Sequence, residues 1–296
     1  MTFMATVIDN LQRGARSLQT QSDSPRLDAE LLLGKVLGLS RAGLMARSNE
    51  PVAMQSEQAY SDLIERRLHG APVAYLTGTR EFWSLPLTVT PAVLVPRPET
   101  ELLVELALER IPERRALPSA DRVPSLDPMI SILDLGTGSG AIALAIASER
   151  PGIRVTGVDI SPAALEVAIQ NSRDLGLAHI DWHLGSWFEA VPGEKFDVIV
   201  ANPPYVAAAD PALQRLRAEP ALALSAGPTG LDALSHIAGA AASHLKDHGW
   251  LLLEHGSDQA PAVARLLEAH GFTDVRSHVD FSGKPRVTLG TVHSHH

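Results

Sequence analysis

At positions 196–205 the chain contains the run Phe196-Asp197-Val198-Ile199-Val200-Ala201-Asn202-Pro203-Pro204-Tyr205. Its β-branched first half is typical of a strand that is buried on both faces of a parallel sheet. Neither proline can donate a backbone hydrogen bond to a neighbouring strand, so the chain has to leave the sheet after Asn202. In open α/β sheets, ligands bind beyond the carboxyl ends of the strands. The run therefore predicts an α/β fold with residues 202–205 at a ligand site.

Strand and helix patterns alternate on both sides of this run from position 130 onward. The strands are predicted at residues 131–135, 154–160, 181–184, 196–201, 250–254, 274–279 and 286–291, and the helices at 100–111, 141–149, 162–175, 231–245 and 261–270. The last two strands must pair antiparallel, because the residues between them are too few for a crossover helix. These patterns predict a doubly wound, mostly parallel sheet of seven strands.

The first seventy residues have a different pattern, in which apolar residues recur at helical spacing. We predict a small helical domain over residues 1–74, a hairpin-like connector with several prolines over 75–98, and a larger α/β domain over 99–292. Residues 112–128 have no periodicity and are predicted to form a mobile loop. The histidine-containing end, 293–296, is predicted to be a frayed polar tail rather than a metal site.

Composition excludes several classes of protein. The 296 residues include no cysteine, which rules out a disulfide framework, thiolate catalysis and iron–sulfur clusters. The formal net charge is −9, the wrong sign for a protein whose affinity comes mainly from phosphate contacts. No apolar segment approaches the ~18 residues of a membrane span, and no signal peptide is recognisable. We therefore expect a cytoplasmic monomer that forms no stable complex with nucleic acid or membrane.

A glycine-rich turn lies between the first predicted strand of the larger domain and the helix that follows. It consists of Gly136-Thr137-Gly138-Ser139-Gly140, and Asp159 follows nineteen residues later at the end of the next strand. Glycines let a ligand lie against the backbone, and an acidic residue at this position accepts hydrogen bonds from ribose hydroxyls. These features favour a cofactor site made of all five turn residues and Asp159. They also fit the dinucleotide pattern, so NAD, S-adenosylmethionine and a purely structural turn all remain open at this point.

The end of the fourth predicted strand of the sheet favours S-adenosylmethionine. No His or Tyr–Lys pair of the kind that a dehydrogenase places beside a nicotinamide stands out, whereas Asn-Pro-Pro-Tyr after a strand is the mark of class I methyltransferases that act on planar nitrogens. From about residue 26 to 291, the sequence resembles the release-factor glutamine methyltransferases, also known as PrmC or HemK. The resemblance is carried by Asn202-Pro203-Pro204-Tyr205, the glycine turn, Leu94-Val95-Pro96-Arg97-Pro98-Glu99-Thr100-Glu101, Glu219-Pro220-Ala221-Leu222-Ala223-Leu224, Gly230-Leu231-Asp232 and the segment 280–286.

This resemblance implies a class I methyltransferase fold and methyl transfer from S-adenosylmethionine to N5 of the glutamine in the Gly-Gly-Gln motif of peptide chain release factors. Asn202 and Pro203 are expected to accept hydrogen bonds from the two N–H groups of the glutamine amide, through a side-chain and a backbone carbonyl. Tyr205 is expected to pack on the amide plane, and Pro204 to contact the substrate. Asn202 would also contact the cofactor. No metal is required, because the sulfonium is already an activated methyl donor.

Two further residues have open roles. Trp187 is expected beside the adenine of the cofactor, although a buried packing role suits its residue type as well. Arg97 is expected to orient substrate or cofactor, and the alternative is a structural salt bridge at the domain junction.

The helical domain is expected to hold the partner protein.

Other functions stay open on the residues alone. An N6-adenine methyltransferase of DNA or RNA would share the chemistry of the strand end, but it would have to flip out a base and hold a polyanion. The acidic net charge and the absence of a dense Lys/Arg stretch argue against this reading. A non-catalytic cofactor-binding module is the third alternative.

Overall fold

The computed structural model describes residues 5–111 and 129–293. The chain divides into two compact units, Met1–Thr79 and Arg80–His296, which we call the helical unit and the larger unit. The predicted mobile loop at 112–128 lies outside the described residues, as do residues 294–296 of the predicted tail. Within the described ranges, no helix combines the length and the apolar character needed to cross a membrane.

The helical unit contains five helices that share one apolar core. They are α1 (Val7–Ser17), α2 (Pro25–Leu37), α3 (Arg41–Ala46), α4 (Met54–Leu68) and α5 (Val73–Thr77). Each of the five contributes a buried side chain to this core, for example Leu11, Leu33 and Leu44. The predicted helical character of this region is confirmed, whereas the predicted domain boundaries remain predictions.

The larger unit contains a small two-stranded sheet and a sheet of seven strands. The strands are β1 (Thr79–Phe82), β2 (Leu85–Thr88), β3 (Ser131–Leu135), β4 (Arg154–Asp159), β5 (Asp181–Leu184), β6 (Phe196–Ala201), β7 (Leu245–Glu254), β8 (Thr273–Val279) and β9 (Pro285–Thr291). The helices are α6 (Glu101–Arg110), α7 (Ala141–Glu149), α8 (Pro162–Asp174), α9 (Ala212–Arg215), α10 (Asp232–Ala241) and α11 (Ala260–Ala269). The strand order is β5-β4-β3-β6-β7-β9-β8, with β9 antiparallel to both neighbours, which confirms the predicted fold.

Strand β6 lies at the centre of this sheet and is buried on both faces. Val198 and Val200 pack into the core formed with α6 and α7, whereas Ile199 and Ala201 pack into the core formed with α10 and α11. All four side chains are at most 1% exposed. Because two apolar layers enclose the end of the strand, Asn202 has a defined position at the carboxyl end of β6.

The boundary between α10 and β7 was predicted wrongly. Helix α10 ends at Ala241 instead of residue 245, and β7 begins at Leu245 instead of residue 250. Leu245 pairs with Phe196 and is buried in the core, and a register shift separates this pair from the regular ladder that resumes at Trp250. The apolar spacing around position 245 suits either element, so only strand pairing decides between them.

Candidate active site

A cavity of about 450 Å³ lies at the carboxyl ends of β3, β4 and β6. The predicted site residues that line it are Arg97, Gly136, Thr137, Gly138, Ser139, Asp159, Trp187, Asn202 and Pro204. The cavity thus brings the glycine turn together with residues 202–205, which we call the strand-end motif, as the sequence predicts. Gly140, Pro203 and Tyr205 are not among its lining residues.

The glycine turn has the backbone that its composition predicts. Gly136, Gly138 and Gly140 all have positive φ, at 72°, 56° and 81°. Gly140 has a packing role, because a Cβ atom there would lie 3.0 Å from the ring of Trp182. Gly138 has open space where a side chain would project, which leaves its backbone accessible. The turn therefore starts the helix, and at Gly138 it leaves partly exposed backbone for a ligand.

Asp159 is hydrogen-bonded to the glycine turn through backbone donors. Its Oδ2 accepts from the Gly138 N–H at 2.8 Å and its Oδ1 from the Ser161 N–H at 2.9 Å. Burial raises the pKa of this carboxyl above its usual range. Each carboxylate oxygen can accept more than one hydrogen bond, so Asp159 retains the capacity to bind hydroxyl groups in the cavity.

Asp134 lies beneath the turn and was missed as a functional residue. It is completely buried, and its Oδ2 accepts from the Thr137 hydroxyl at 2.6 Å and from the Ala143 N–H at 3.3 Å. Its Oδ1 has no hydrogen-bond partner among the described residues. Burial raises the pKa of Asp134 to about 7. The signal in the sequence was the single acidic residue within an apolar strand.

We expect Asp134→Asn to make stability less dependent on pH. Between pH 3.8 and about 7, the folded protein keeps a proton on Asp134 that the unfolded chain has lost. The free energy of unfolding therefore falls as pH rises through this window, by at most about 1.4 kcal/mol per pH unit from this group. Denaturant unfolding at pH 5 and pH 8 should show a larger decrease for the wild type than for the variant. Equal decreases would contradict the assignment, since all other titrating groups are common to both proteins.

The strand-end motif is held by groups from three other segments. The Asn202 Nδ2 donates to Thr100 Oγ1 at 3.1 Å, and the Tyr205 hydroxyl donates to Glu254 Oε1 at 3.4 Å. Gln259 Nε2 donates to the Tyr205 backbone carbonyl at 3.0 Å. Burial raises the pKa of Glu254 to about 7, and burial together with Glu254 raises the pKa of Tyr205.

Arg97 forms an ion pair with Glu219, and both residues belong to the larger unit. The other oxygen of Glu219 accepts the Val95 N–H at 3.0 Å, so this buried residue holds both Arg97, which lines the cavity, and the backbone two positions before it. The salt bridge offered as an alternative is therefore present. One third of the Arg97 side chain is still exposed, and the residue lines the cavity, so a contact with substrate stays a prediction.

Trp187 has the packing role and also faces the cavity. It packs against the core on the α10 face of the sheet, and it also lines the cavity. A Cβ atom on Gly136 would lie 3.4 Å from its ring. The ring therefore lies directly against the glycine turn, and its contact with an adenine stays a prediction.

Asn171 on α8 is a second residue whose role was missed. Its Oδ1 accepts the Thr88 N–H at 2.7 Å, and its Nδ2 donates to the Thr88 carbonyl at 3.0 Å and to the Ser139 carbonyl at 2.9 Å. This one buried amide connects β2 to the glycine turn. No local pattern marks it, because its partners lie far away in the sequence.

Comparison with known proteins agrees with this geometry. Residues 9–78 match the family model of the PrmC N-terminal domain, and residues 126–268 match that of a methyltransferase domain. The release factor glutamine methyltransferase of Salmonella typhimurium is 46% identical over 91% of this chain and 93% of its own length. That of Xylella fastidiosa is 46% identical over 90% of this chain and 92% of its own length.

A solved methyltransferase from Pyrococcus furiosus shares the fold, with a TM-score of 0.52 and 17% identity over 79% of this chain and 100% of that one. The family that the sequence motifs predicted is thereby confirmed, and with it the class I methyltransferase fold and the enzyme class. The chain belongs to the release factor glutamine methyltransferases.

Proposed function

We propose that this protein transfers a methyl group from S-adenosylmethionine to N5 of the glutamine in the Gly-Gly-Gln motif of peptide chain release factors. The observation that carries the proposal is that the glycine turn, Asp159 and Asn202 meet in one cavity. Relatives that cover most of the chain are named release factor glutamine methyltransferases, which supports the proposal. Because release factors act in translation termination, we place the protein in the cytoplasm.

The residues of the cavity fit S-adenosylmethionine. Asp159 offers carboxylate acceptors for ribose hydroxyls, the backbone of the glycine turn is accessible at Gly138, and the Trp187 ring offers an apolar wall beside it. When bound, the sulfonium supplies a methyl group that needs no further activation. What the protein has to provide is alignment of the acceptor nitrogen with this methyl group.

The acceptor is the difficult part of the reaction. An amide nitrogen shares its lone pair with the carbonyl group, so it is planar and a poor nucleophile. Two acceptors aimed at its N–H bonds would hold the group in place and stabilise the positive charge that develops on nitrogen. We assign these acceptors to the Asn202 side-chain carbonyl and the Pro203 backbone carbonyl. The proline ring fixes φ at 203, so that carbonyl loses little entropy on binding.

The orientation of the Asn202 side chain supports this assignment. Its Nδ2 is engaged by Thr100 Oγ1, which leaves the carbonyl oxygen Oδ1 as the acceptor available to the cavity. Pro204 lines the cavity beside it, and Tyr205 is fixed behind it by Glu254 and Gln259. A planar amide held in this way needs no strong base, because the proton becomes acidic once the nitrogen is alkylated.

We further propose that the helical unit binds the release factor. The match of residues 9–78 to the PrmC N-terminal domain supports a role specific to this family. A chain that begins at Arg80, shown by circular dichroism to be folded, should have a raised KM for the release factor. An unchanged KM would defeat this part of the proposal.

The experiment is incubation of the enzyme with radiolabelled S-adenosylmethionine and three substrates in parallel: a release factor, its Gly-Gly-Gln variant with Gln→Ala, and duplex DNA with total RNA. We expect label on the wild-type release factor alone. Label on both release factors would refute the glutamine assignment. Label on nucleic acid alone would favour the adenine methyltransferase alternative.

A further inference from the structure

Gln259 lies directly before α11, and its side chain joins three separate segments of the larger unit. The nearest acceptors of its Nε2 are the Tyr205 carbonyl at 3.0 Å and the Gly230 carbonyl at 3.4 Å. Its Oε1 accepts the Gly256 N–H at 2.8 Å. The first partner follows β6, the second precedes α10 and the third follows β7, so one amide connects the ends of three elements.

The groups around Gln259 permit only one orientation of its amide. A backbone carbonyl can only accept a hydrogen bond, and a backbone N–H can only donate one. The Nε2 group must therefore face Tyr205 and Gly230, and Oε1 must face Gly256. A rotation by 180° would place an oxygen against two carbonyls and an NH₂ group against an N–H. The partners of the amide therefore fix both its place and its direction.

The Tyr205 carbonyl joins the strand-end motif to another part of the cavity lining. The next residue, Val206, forms backbone hydrogen bonds with the segment 224–226, one through its N–H at 2.9 Å and one through its carbonyl at 3.1 Å. Pro204 on one side of this carbonyl and parts of that segment on the other line the cavity. The Pro203 carbonyl, which we assign to the substrate amide, is only two residues away. A shift of the Tyr205 carbonyl would therefore move the groups that hold the substrate.

His255 holds the turn from which Gln259 projects. Its ring is completely buried, with Nδ1 at 2.9 Å from the Gly256 carbonyl and Nε2 at 2.8 Å from the Thr288 hydroxyl. Burial lowers the pKa of His255, so the ring is neutral and has a single N–H. Since the carbonyl can only accept, this hydrogen lies on Nδ1, and Nε2 accepts from Thr288. The same Gly256 carbonyl accepts the Gln259 N–H at 2.9 Å, so the ring helps to hold Gln259.

We propose that Gln259 and His255 are positioning residues that act through the Tyr205 carbonyl to keep the strand-end motif aligned with the cofactor. The proposal rests on the function assigned to Asn202 and Pro203 above. Neither Gln259 nor His255 is among the lining residues of the cavity, so their effect is on alignment and not on the reacting atoms. Alignment matters because a displacement of about 1 Å can reduce turnover on the order of a hundredfold.

Gln259→Glu tests the first of these residues. The variant keeps the shape and the acceptor for Gly256, but an oxygen replaces the NH₂ group and faces the Tyr205 carbonyl. We expect kcat at saturating substrates to fall at least about tenfold. The affinity for S-adenosylhomocysteine and the KM for the release factor should change less than about threefold, because neither ligand contacts residue 259.

Gln170→Glu is the matched control. Gln170 Nε2 donates to Asp174 Oδ1 at 2.7 Å on the exposed face of α8, outside the cavity lining. The control therefore loses a donated hydrogen bond and gains a negative charge, as Gln259→Glu does. It should keep the wild-type kcat.

Two variants separate a positioning role of His255 from a purely structural one. His255→Leu and His255→Asn both deprive the Thr288 hydroxyl of its ring partner, so both should be destabilised. Only asparagine retains an N–H close to the position of Nδ1, where it can reach the Gly256 carbonyl. We expect His255→Leu to lower kcat about fivefold and His255→Asn to keep kcat within about twofold of the wild type.

A folded Gln259→Glu enzyme with the wild-type kcat would overturn the proposal. If this variant does not fold, Gln259→Met, which adds no charge, replaces it, and the same loss of turnover is expected. Equal kcat values for the two His255 variants would show that the ring has no positioning role. A wild-type enzyme that does not methylate the release factor would overturn the proposed function together with this proposal.

Discussion

Asn202→Ala is expected to lower kcat at least about thirtyfold, the equivalent of about 2 kcal/mol of transition-state stabilisation. The variant lacks the carbonyl oxygen that Nδ2 bonding to Thr100 makes available to the cavity. The glutamine amide would then be held by the Pro203 carbonyl alone and could rotate away from the methyl donor. Single-turnover methylation of a release factor, with both substrates saturating, measures the effect on the chemical step.

The binding of S-adenosylhomocysteine has to be measured for the same variant, because Asn202 also lines the cavity. A loss of turnover with nearly unchanged affinity would support a role in the transition state. If calorimetry instead shows a large loss of affinity and saturating cofactor restores kcat, the residue binds the cofactor and the carbonyl assignment is wrong.

Gly230→Ala is expected to lower kcat about a hundredfold, although Gly230 has no side chain that could take part in the reaction. A Cβ atom there would overlap the Tyr205 backbone carbonyl and would lie 2.9 Å from Gln259 Nε2. Gln259 is the residue that anchors Tyr205 through that same carbonyl. The strand-end motif would have to shift, and a displacement of about 1 Å can reduce turnover on the order of a hundredfold.

Gly176→Ala is the matched control for this variant. Gly176 has a φ of 70°, close to the 74° of Gly230, but a Cβ atom there would have no neighbour within 4 Å. It therefore has the backbone strain of an alanine at positive φ, about 1–2 kcal/mol, without the overlap. Both variants should be destabilised, whereas only Gly230→Ala should lose turnover. Comparable kcat values for the two would show that the position of Tyr205 does not limit the reaction.

The parts of the site that the sequence predicts are those whose chemistry is local. The glycine turn is recognisable because three residues at positive φ alternate within five positions, and the end of β6 is recognisable because two prolines follow a buried strand. Asp159 is predictable from its spacing after the turn. Each of these features depends on neighbours within one strand–turn–helix segment.

The parts that could not be predicted depend on which strands and segments become neighbours. Asn202 and Thr100 are 102 positions apart, and Arg97 and Glu219 are 122 positions apart. Only the pairing of β6 with β7 shows that Glu254 lies beside Asn202. The sequence alone identifies Glu254 as the end of a strand, and nothing local distinguishes it from an acid that faces solvent.

Asn171 couples the binding of a ligand at the glycine turn to the local opening of β2. Its single amide hydrogen-bonds to Thr88 of β2 and to Ser139 of the cavity wall. A ligand that holds the turn in place restrains Asn171, and a restrained Asn171 keeps both backbone hydrogen bonds of Thr88 closed. By linkage, we expect the free energy of opening β2 locally to rise with the concentration of the proposed cofactor. A bound cofactor would then help to hold in place a strand that is not part of the seven-stranded sheet.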